Sequence, residues 1–376
     1  MPSIKVPVHE IQVGKAIPWT VYDQHGKMLL KRGTVIGSQN QRDLLVQRGL
    51  YRADGKQNAY LQEKKKERIE DNASPFDLFN DIAFRVKHLF EGIMRQDTET
   101  SKRVVRLAAD IQALVEFDAD AALGAVHVVH GHPYTIYHPL HVAVICETIA
   151  RALDYPEEDR IPILAAAITS NIAMNELQEL LQQQTAPLSE EQRKQINTHP
   201  ERSQRLLKVA GVTDEIWLKA VLEHHEMMDG SGYPQGLKEE QICDAARIVA
   251  LADKYSALLS PRAYRESLTA QAALKQFFVD KGKQYDEALS MLFIKELGIF
   301  PPGAFVKLVN GETAIVTKRG KENSLYPTVC SYIGADGRPY GTPMKRETKV
   351  DGHGIKEICK PDKQIPLNLR ILWGYH

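Results

Sequence analysis

Apolar and polar positions change their period twice along the chain. Up to about residue 55 the apolar runs are short and β-favouring. Ala16 to Tyr22 and Lys27 to Ile36 flank the polar turn Asp23-Gln24-His25-Gly26, and Arg32-Gly33 punctuates the second run. Residues 54 to 74 are poor in apolar side chains, and their run Lys64-Lys65-Lys66-Glu67-Arg68 reads as a linker or a solvated helix face. From Ser74 the period becomes helical. Ser74-Pro75 offers an N-cap and a proline at the first helical position, and Phe79, Ile82, Ala83, Val86, Phe90 and Ile93 follow at near-helical spacing. Helical patterns continue over roughly 104–117, 138–153, 161–172, 175–184, 189–208, 215–228, 244–260, 267–279 and 285–297, and Ser189-Glu190-Glu191-Gln192 has capping-box spacing. After Leu297-Gly298-Ile299-Phe300-Pro301-Pro302-Gly303 the period returns to that of strands. Asn310-Gly311, between Phe305-Val306-Lys307-Leu308-Val309 and Thr313-Ala314-Ile315-Val316, predicts a two-residue type I′ hairpin, and Asp336-Gly337 offers a second turn. The expected architecture is mainly α. A β-rich module (1–55), a charged linker (56–74) and a helical lead-in (75–133) precede an all-α domain (134–300) and a C-terminal β module (301–376).

The densest chemical signal is His224-His225-Glu226-Met227-Met228-Asp229-Gly230-Ser231-Gly232-Tyr233-Pro234. Adjacent helical residues point about 100° apart, so the two histidines serve neighbouring positions of a crowded multi-helix site rather than one helix face. The Asp-Gly-Ser-Gly-Tyr-Pro stretch stops the helix and forms a rigid loop beside it.

This stretch resembles the signature of HD-GYP domains, a branch of the HD superfamily of metal-dependent phosphohydrolases whose active members hydrolyse cyclic di-GMP. The resemblance extends over roughly 134–298. It takes in Tyr134-Thr135-Ile136-Tyr137-His138, Thr198-His199-Pro200, the histidine pair, Ala246-Arg247-Ile248, Ala252-Asp253-Lys254-Tyr255 and Arg262-Ala263-Tyr264-Arg265. It implies metal ligands at His138, His199, His224, His225 and Asp253, a donor set suited to iron, manganese or zinc. It also implies a phosphate-contacting pair at Arg262 and Arg265, which would share a face if they stood three apart on a helical end. The loop formed by Asp229, Gly230, Gly232, Tyr233 and Pro234 corresponds to one that the family uses to contact diguanylate cyclase (GGDEF) domains, so a docking surface and a helix-terminating turn are both open readings.

The departures from the family pattern are concentrated in one place. Where the family carries its His-Asp doublet followed by Ile-Gly-Lys, this chain reads Ser170-Asn171-Ile172-Ala173-Met174. The family's aspartate bridges two cations, and two cations about 3.5–4 Å apart repel unless an anion lies between them. A neutral asparagine supplies no such charge. Tyr134 stands where members with a third metal place a glutamate, and Tyr255-Ser256-Ala257-Leu258 replaces a Tyr-Asp-Ala-Leu motif. The expectation is a domain that has lost dinuclear catalysis and acts by binding cyclic di-GMP, a related cyclic dinucleotide or a GGDEF partner. The alternatives are a residual metal-dependent phosphodiesterase in which His199, His224 and His225 hold one divalent ion, and a non-nucleotide adaptor. The same three histidines also admit a purely structural role.

The remaining features narrow the field. His127, His130, His132 and His141 lack acidic or cysteine partners at ligand spacing and read as ordinary histidines. Cys146, Cys243, Cys330 and Cys359 are too scattered for a zinc ribbon and point to reduced thiols. The three tryptophans are dispersed, and no P-loop or Rossmann glycine pattern is present. With no apolar run of about 18 residues and no signal-peptide core, a cytoplasmic protein without a membrane span is expected. Lysine plus arginine equal aspartate plus glutamate at 48 each, which argues against a DNA-coating role. The balance is uneven, at +2 over 1–133, −7 over 134–300 and +5 over 301–376. An acidic core of this kind repels a dianionic nucleotide unless Arg262 and Arg265 compensate.

Overall fold

A computed structural model of the chain describes residues 74–375 apart from 96, 98, 264, 321–322 and 361–364. Before residue 54 it describes the segments 3–6, 11–17, 20–22, 28–31, 33–47 and 51–53. The turn Asp23-Gln24-His25-Gly26 and the charged linker lie outside the described residues. The fold is mainly helical, with a small strand-rich sheet region toward each terminus.

In the N-terminal sheet, β1 (Ser3–Lys5), β2 (Val21–Tyr22), β3 (Met28–Leu30) and β4 (Tyr51–Ala53) lie in the order β1-β4-β2-β3. A short helix, α1 (Gln39–Gln47), intervenes before β4 and has no counterpart in the sequence reading. Tyr22 is buried in the main helical core, and Lys31 Nζ donates to the Leu153 carbonyl at 3.2 Å, so this sheet is docked on the helices.

The helices run α2 (Pro75–Met94), α3 (Thr100–Phe117), α4 (Ala119–Val128), α5 (Tyr134–Ala152), α6 (Glu157–Thr169), α7 (Asn175–Gln183), α8 (Glu190–Val209), α9 (Glu215–Glu223), α10 (Asp244–Leu259), α11 (Ala270–Asp280) and α12 (Glu287–Leu297). Ser74 caps α2 by accepting from the Asp77 amide, with Pro75 in the first turn, and the capping box at Ser189 starts α8. The periodicity misses α4, whose start is set by Asp118 accepting from the amides of Asp120 and Ala121. α5 is the central element. Its residues from Tyr134 to Ala150 are all buried, and it packs against α6, α10 and α3, as expected of a helix that is apolar around its whole circumference.

The C-terminal sheet is antiparallel, with β5 (Phe305–Leu308), β6 (Thr313–Lys318), β7 (Thr328–Ile333), β8 (Pro339–Glu347) and β9 (Ile355–Ile358) in the order β8-β7-β6-β5-β9. Its two glycine turns are not of the predicted type I′. Gly311 and Gly337 have positive φ but Asn310 and Asp336 do not. In each turn the glycine closes a three-residue loop while the preceding Asn or Asp side chain accepts the amide two residues on, at 3.0 Å for Asn310 and 3.1 Å for Asp336. The last helix, α13 (Leu369–Trp373), returns to the helical body. Trp373 meets Phe76 edge-on at 5.1 Å and covers Gly124, where a Cβ would stand 2.4 Å from the indole. Tyr375 Oη donates to Asp118 at 2.9 Å, and Arg319 pairs with Asp120. No described helix is long and apolar enough to cross a membrane.

Candidate functional site

Six elements bring chemistry to one cavity of about 220 Å3: the start of α5, the turn after α6, the middle of α8, the end of α9 with its following loop, α10, and the turn after α10. Tyr134, His138, Asn171, His199, His225, Tyr233, Asp253 and Arg262 all line it. His224 lies immediately behind, fully buried.

Local backbone chemistry fixes the orientation of two imidazoles. Pro200 sits inside α8 and has no N–H to give the carbonyl of residue 196. That carbonyl instead accepts from His199 Nδ1 at 2.6 Å. α9 ends at Glu223, five residues earlier than its apolar pattern suggests, because His224 is already the C-cap. The carbonyls of a helix's last turn lack helical partners, and one of these, Val221 O, accepts from His224 Nδ1 at 2.7 Å. Both rings therefore carry their proton on Nδ1. The two Nε2 lone pairs face one another at 3.2 Å.

Two unprotonated nitrogens aimed at each other offer a pair of ligand atoms to a cation. Ligands about 2.05 Å from a tetrahedral ion stand roughly 3.3 Å apart, close to the observed spacing, and a backbone acceptor on the far ring nitrogen is the usual support of a metal-bound histidine. His225 completes the set. Among the described residues, ligand atoms of His199, His224 and His225 lie within 4.8 Å of one another. Burial lowers the basicity of all three, His199 to about 3, and repulsion from neighbouring rings adds to the effect, from His224 at His199, from His138 at His224 and from both His224 and His199 at His225. They are neutral, as ligands must be. One divalent ion fits this donor set.

The other half of the site is committed differently. Asp253 and Ser256 stand three apart on α10 and share a face. His138 Nε2 contacts Asp253 Oδ1 and its Nδ1 contacts Ser256 Oγ, both at 3.0 Å. Asn171 Nδ2 donates to the same Asp253 oxygen at 3.2 Å and to Ser170 Oγ at 3.3 Å. Burial by itself would raise the Asp253 carboxyl, but the hydrogen bond and charge of His138 outweigh it and hold the group well below the usual carboxylate range. The Asn171 amide thus closes a hydrogen-bonded triad with Asp253 and His138. The donors present do not fit a second ion beside the first.

The two arginines occupy a tight turn after α10 rather than a helical end. Arg262 N donates to Arg265 O and Arg265 N to Arg262 O. Arg262 lines the cavity with its guanidinium over the Tyr134 ring, 5.8 Å from the centroid, and Tyr134 in turn stacks on His138 at 4.7 Å. Arg265 instead donates to the Ala257 carbonyl at 2.8 Å and is not among the lining residues.

The loop after the histidine pair is held from within. Asp229 accepts from the Ser231 amide at 2.9 Å. A Cβ on Gly232 would lie 2.4 Å from the Met227 nitrogen, so only glycine fits. Tyr233 N donates to the His225 carbonyl, its ring lies 4.8 Å from the His225 ring, and Pro234 follows it. Glu226, absent from the sequence-derived site, is buried and accepts from the amides of Gln235 at 2.6 Å and Leu237 at 3.0 Å. The available signal was a carboxylate placed directly before a glycine-rich stretch whose amides needed acceptors. Ser256, which the sequence marks only as a departure from the family's Tyr-Asp-Ala-Leu motif, is the residue that His138 Nδ1 contacts.

The other histidines are accounted for by protein contacts. His127 bridges the Leu123 carbonyl and Tyr255 Oη, both at 2.9 Å, and His141 meets the Val129 carbonyl at 3.1 Å. His132 meets Asn80, and His130 lies edge-on to Tyr137 and His141. All four cysteines are free thiols, with Cys146, Cys243 and Cys330 buried.

The model for the HD domain family matches residues 97–289. A cyclic di-GMP phosphodiesterase from Pseudomonas aeruginosa is 28% identical over 229 residues, covering 61% of this chain and 55% of that protein. A second, from Borreliella burgdorferi, is 24% identical over 205 residues, covering 54% of each chain. The 3′3′-cGAMP-specific phosphodiesterase 3 of Vibrio cholerae is 30% identical over 183 residues, covering 47% of this chain and 39% of that one. The chain thus spans about half the length, or less, of these relatives. The extent of the family match, with the ordered histidines and the glycine-tyrosine-proline loop, shows that the chain belongs to the HD domain family as an HD-GYP domain protein.

Proposed function

We propose that this chain is a cyclic-dinucleotide signalling protein whose HD-GYP site binds a cyclic dinucleotide, or docks a GGDEF-type partner, without dinuclear hydrolysis. One observation carries the reading. Ser170 and Asn171 stand at the doublet position, and the Asn171 amide is hydrogen-bonded to Asp253 instead of supplying a bridging carboxylate. Two divalent ions close together require anionic ligands to offset their repulsion, and this half of the site offers the single carboxylate Asp253, already engaged by His138 and Asn171.

The relatives named above are phosphodiesterases of cyclic di-GMP or cGAMP, which supports a ligand of that class here. Arg262 supplies the positive charge at the cavity edge, held in place by Tyr134. An ion on His199, His224 and His225 would act as a Lewis acid toward a phosphate oxygen. The protein's own contribution is to hold those three rings neutral and oriented, to hold Asp253 in its triad with His138 and Asn171, and to wall the cavity with Tyr233. The Asp229 to Pro234 loop is tied by the Ser231–Asp229 and Tyr233–His225 hydrogen bonds, with Glu226 anchoring the segment that follows, and a pre-ordered loop suits a docking surface for a GGDEF-type partner.

A second reading draws on a separate observation. The convergent Nε2 pair of His199 and His224 supports a one-ion site with residual phosphodiesterase activity. The test is incubation of the full chain with cyclic di-GMP and 3′3′-cGAMP in manganese or iron, with the linear product followed by chromatography. The proposal expects binding without turnover, and multiple turnovers per chain would favour the second reading.

A further inference from the structure

The cavity lining also carries two side-chain amides that neither the histidine cluster nor the doublet argument uses. Gln178 and Gln182 lie one turn apart on α7 and both line the cavity. Gln178 is 9% exposed, and among the described residues its amide makes no hydrogen bond to another side chain or to the backbone. The amide opens onto the cavity, where its donor and acceptor are available to a ligand in place of water. Met174, Leu181 and Ile196 flank the two amides with apolar surface. The Ala263 amide donates to the Gln182 carbonyl at 3.1 Å, which sets the Arg262 turn against the end of the same helix. The result is an apolar slot with an amide edge, beside a cation. At about 220 Å3 it is smaller than the ~300–1,000 Å3 of whole-ligand sites, and so is scaled to one part of a dinucleotide.

We propose that Gln178 and Gln182 read the edge of a purine base in this slot, and that the base is adenine. This rests on the reading above that the cavity takes a cyclic dinucleotide. A glutamine amide presents one donor and one acceptor in a plane, which matches the adjacent N6 donor and N7 acceptor of adenine. Guanine offers two acceptors on that edge and calls for arginine or lysine, and the arginine that lines this cavity, Arg262, has its guanidinium laid over the Tyr134 ring. Its opposite edge carries two donor groups and calls for a carboxylate. Asp253 is the cavity-lining carboxylate among the described residues, and its Oδ1 is occupied by His138 and Asn171.

The experiment is calorimetric titration of the full chain with cyclic di-AMP, 3′3′-cGAMP and cyclic di-GMP, for the natural sequence and for Gln178→Leu. An amide pair on a base edge discriminates by roughly 5- to 100-fold. The adenine-containing ligands should bind tighter than cyclic di-GMP by a factor in that range, and Gln178→Leu should collapse the ratio toward one. A thermal melt reports whether the variant is folded. Should it not be, Gln182→Leu, at the less buried end of α7, is expected to narrow the ratio in the same direction. Equal or tighter binding of cyclic di-GMP by the natural chain, or a ratio unmoved in the folded variants, overturns the adenine assignment and leaves the cyclic-dinucleotide reading standing. Absence of binding by all three overturns both.

Discussion

Restoring the carboxylate at residue 171 tests the Asn171–Asp253 hydrogen bond directly. Asn171→Asp replaces a donor 3.2 Å from Asp253 Oδ1 with a second carboxylate oxygen at the same place. Two unit charges at that separation repel by about 5 kcal/mol at an effective dielectric of 20. The pair has an escape, since taking up one proton turns the repulsion into a hydrogen bond. At pH 7, protonating a carboxyl of ordinary pKa about 3.9 costs roughly 4 kcal/mol, which caps the penalty. At pH 5 the same proton costs only about 1.5 kcal/mol. The folded variant binds more protons than the unfolded chain across this range, so its stability deficit grows as pH rises. The assay is urea unfolding in a chelator at pH 5 and pH 7, followed by the tryptophan fluorescence that reports on Trp217, buried under the site with its indole N–H donating to Thr169. The expected deficit is about 1–2 kcal/mol at pH 5 and about 4 kcal/mol at pH 7. Manganese should recover much of the pH 7 deficit, because an ion between the two carboxylates removes the repulsion. A deficit under about 1 kcal/mol at pH 7 with no pH dependence would refute the reasoning. It would mean that Asn171 does not face an ionised Asp253.

Other consequences are open to simpler measurements. His199→Ala and His224→Ala should each abolish stoichiometric metal in the purified chain, whereas His138→Ala should leave it within experimental error, as read by elemental analysis. Glu226→Ala removes the acceptor of the Gln235 and Leu237 amides and should destabilise this segment by on the order of 1 kcal/mol, with faster hydrogen exchange at those two amides. Asp159, at the start of α6 and facing Thr20 and Tyr22, is pushed up to about 7 by burial, with the Thr20 contact offsetting it only in part. A raised carboxyl contributes its stability below the unfolded pKa of about 3.9 and loses it as pH rises through 7. Asp159→Asn should therefore stabilise the chain at pH 8 by on the order of 3 kcal/mol and have little effect at pH 4, as measured by melts at the two pH values.

Much of this site could be read from the sequence because its parts are local. A proline after His199, a helix stop after the histidine pair and a glycine-rich loop each have a composition that announces them. The same holds for the caps of α2 and α8. The helical patterns of the central domain have structural counterparts because apolar faces of that length have one way to be buried. What escaped has a common cause, which is dependence on partners distant in sequence. α4 is short and carries Gly124, which the pattern penalises but which Trp373, about 250 residues on, requires. Arg262 and Arg265 have helical spacing, yet Arg265 turns back to cap the Ala257 carbonyl, so one of the expected pair leaves the cavity. His138 and Asp253 match the metal pattern, but with Asn171 beside them they satisfy one another. The Asn310-Gly311 dipeptide suits two turn types, and the sheet register selected the three-residue form.

The central claim is that the site holds one ion at most, because an amide stands where a bridging carboxylate would be needed. Elemental analysis of the full chain, purified and then equilibrated with manganese or iron, measures this directly. The account predicts no more than one ion per chain, lost in His199→Ala. Two ions per natural chain would contradict it.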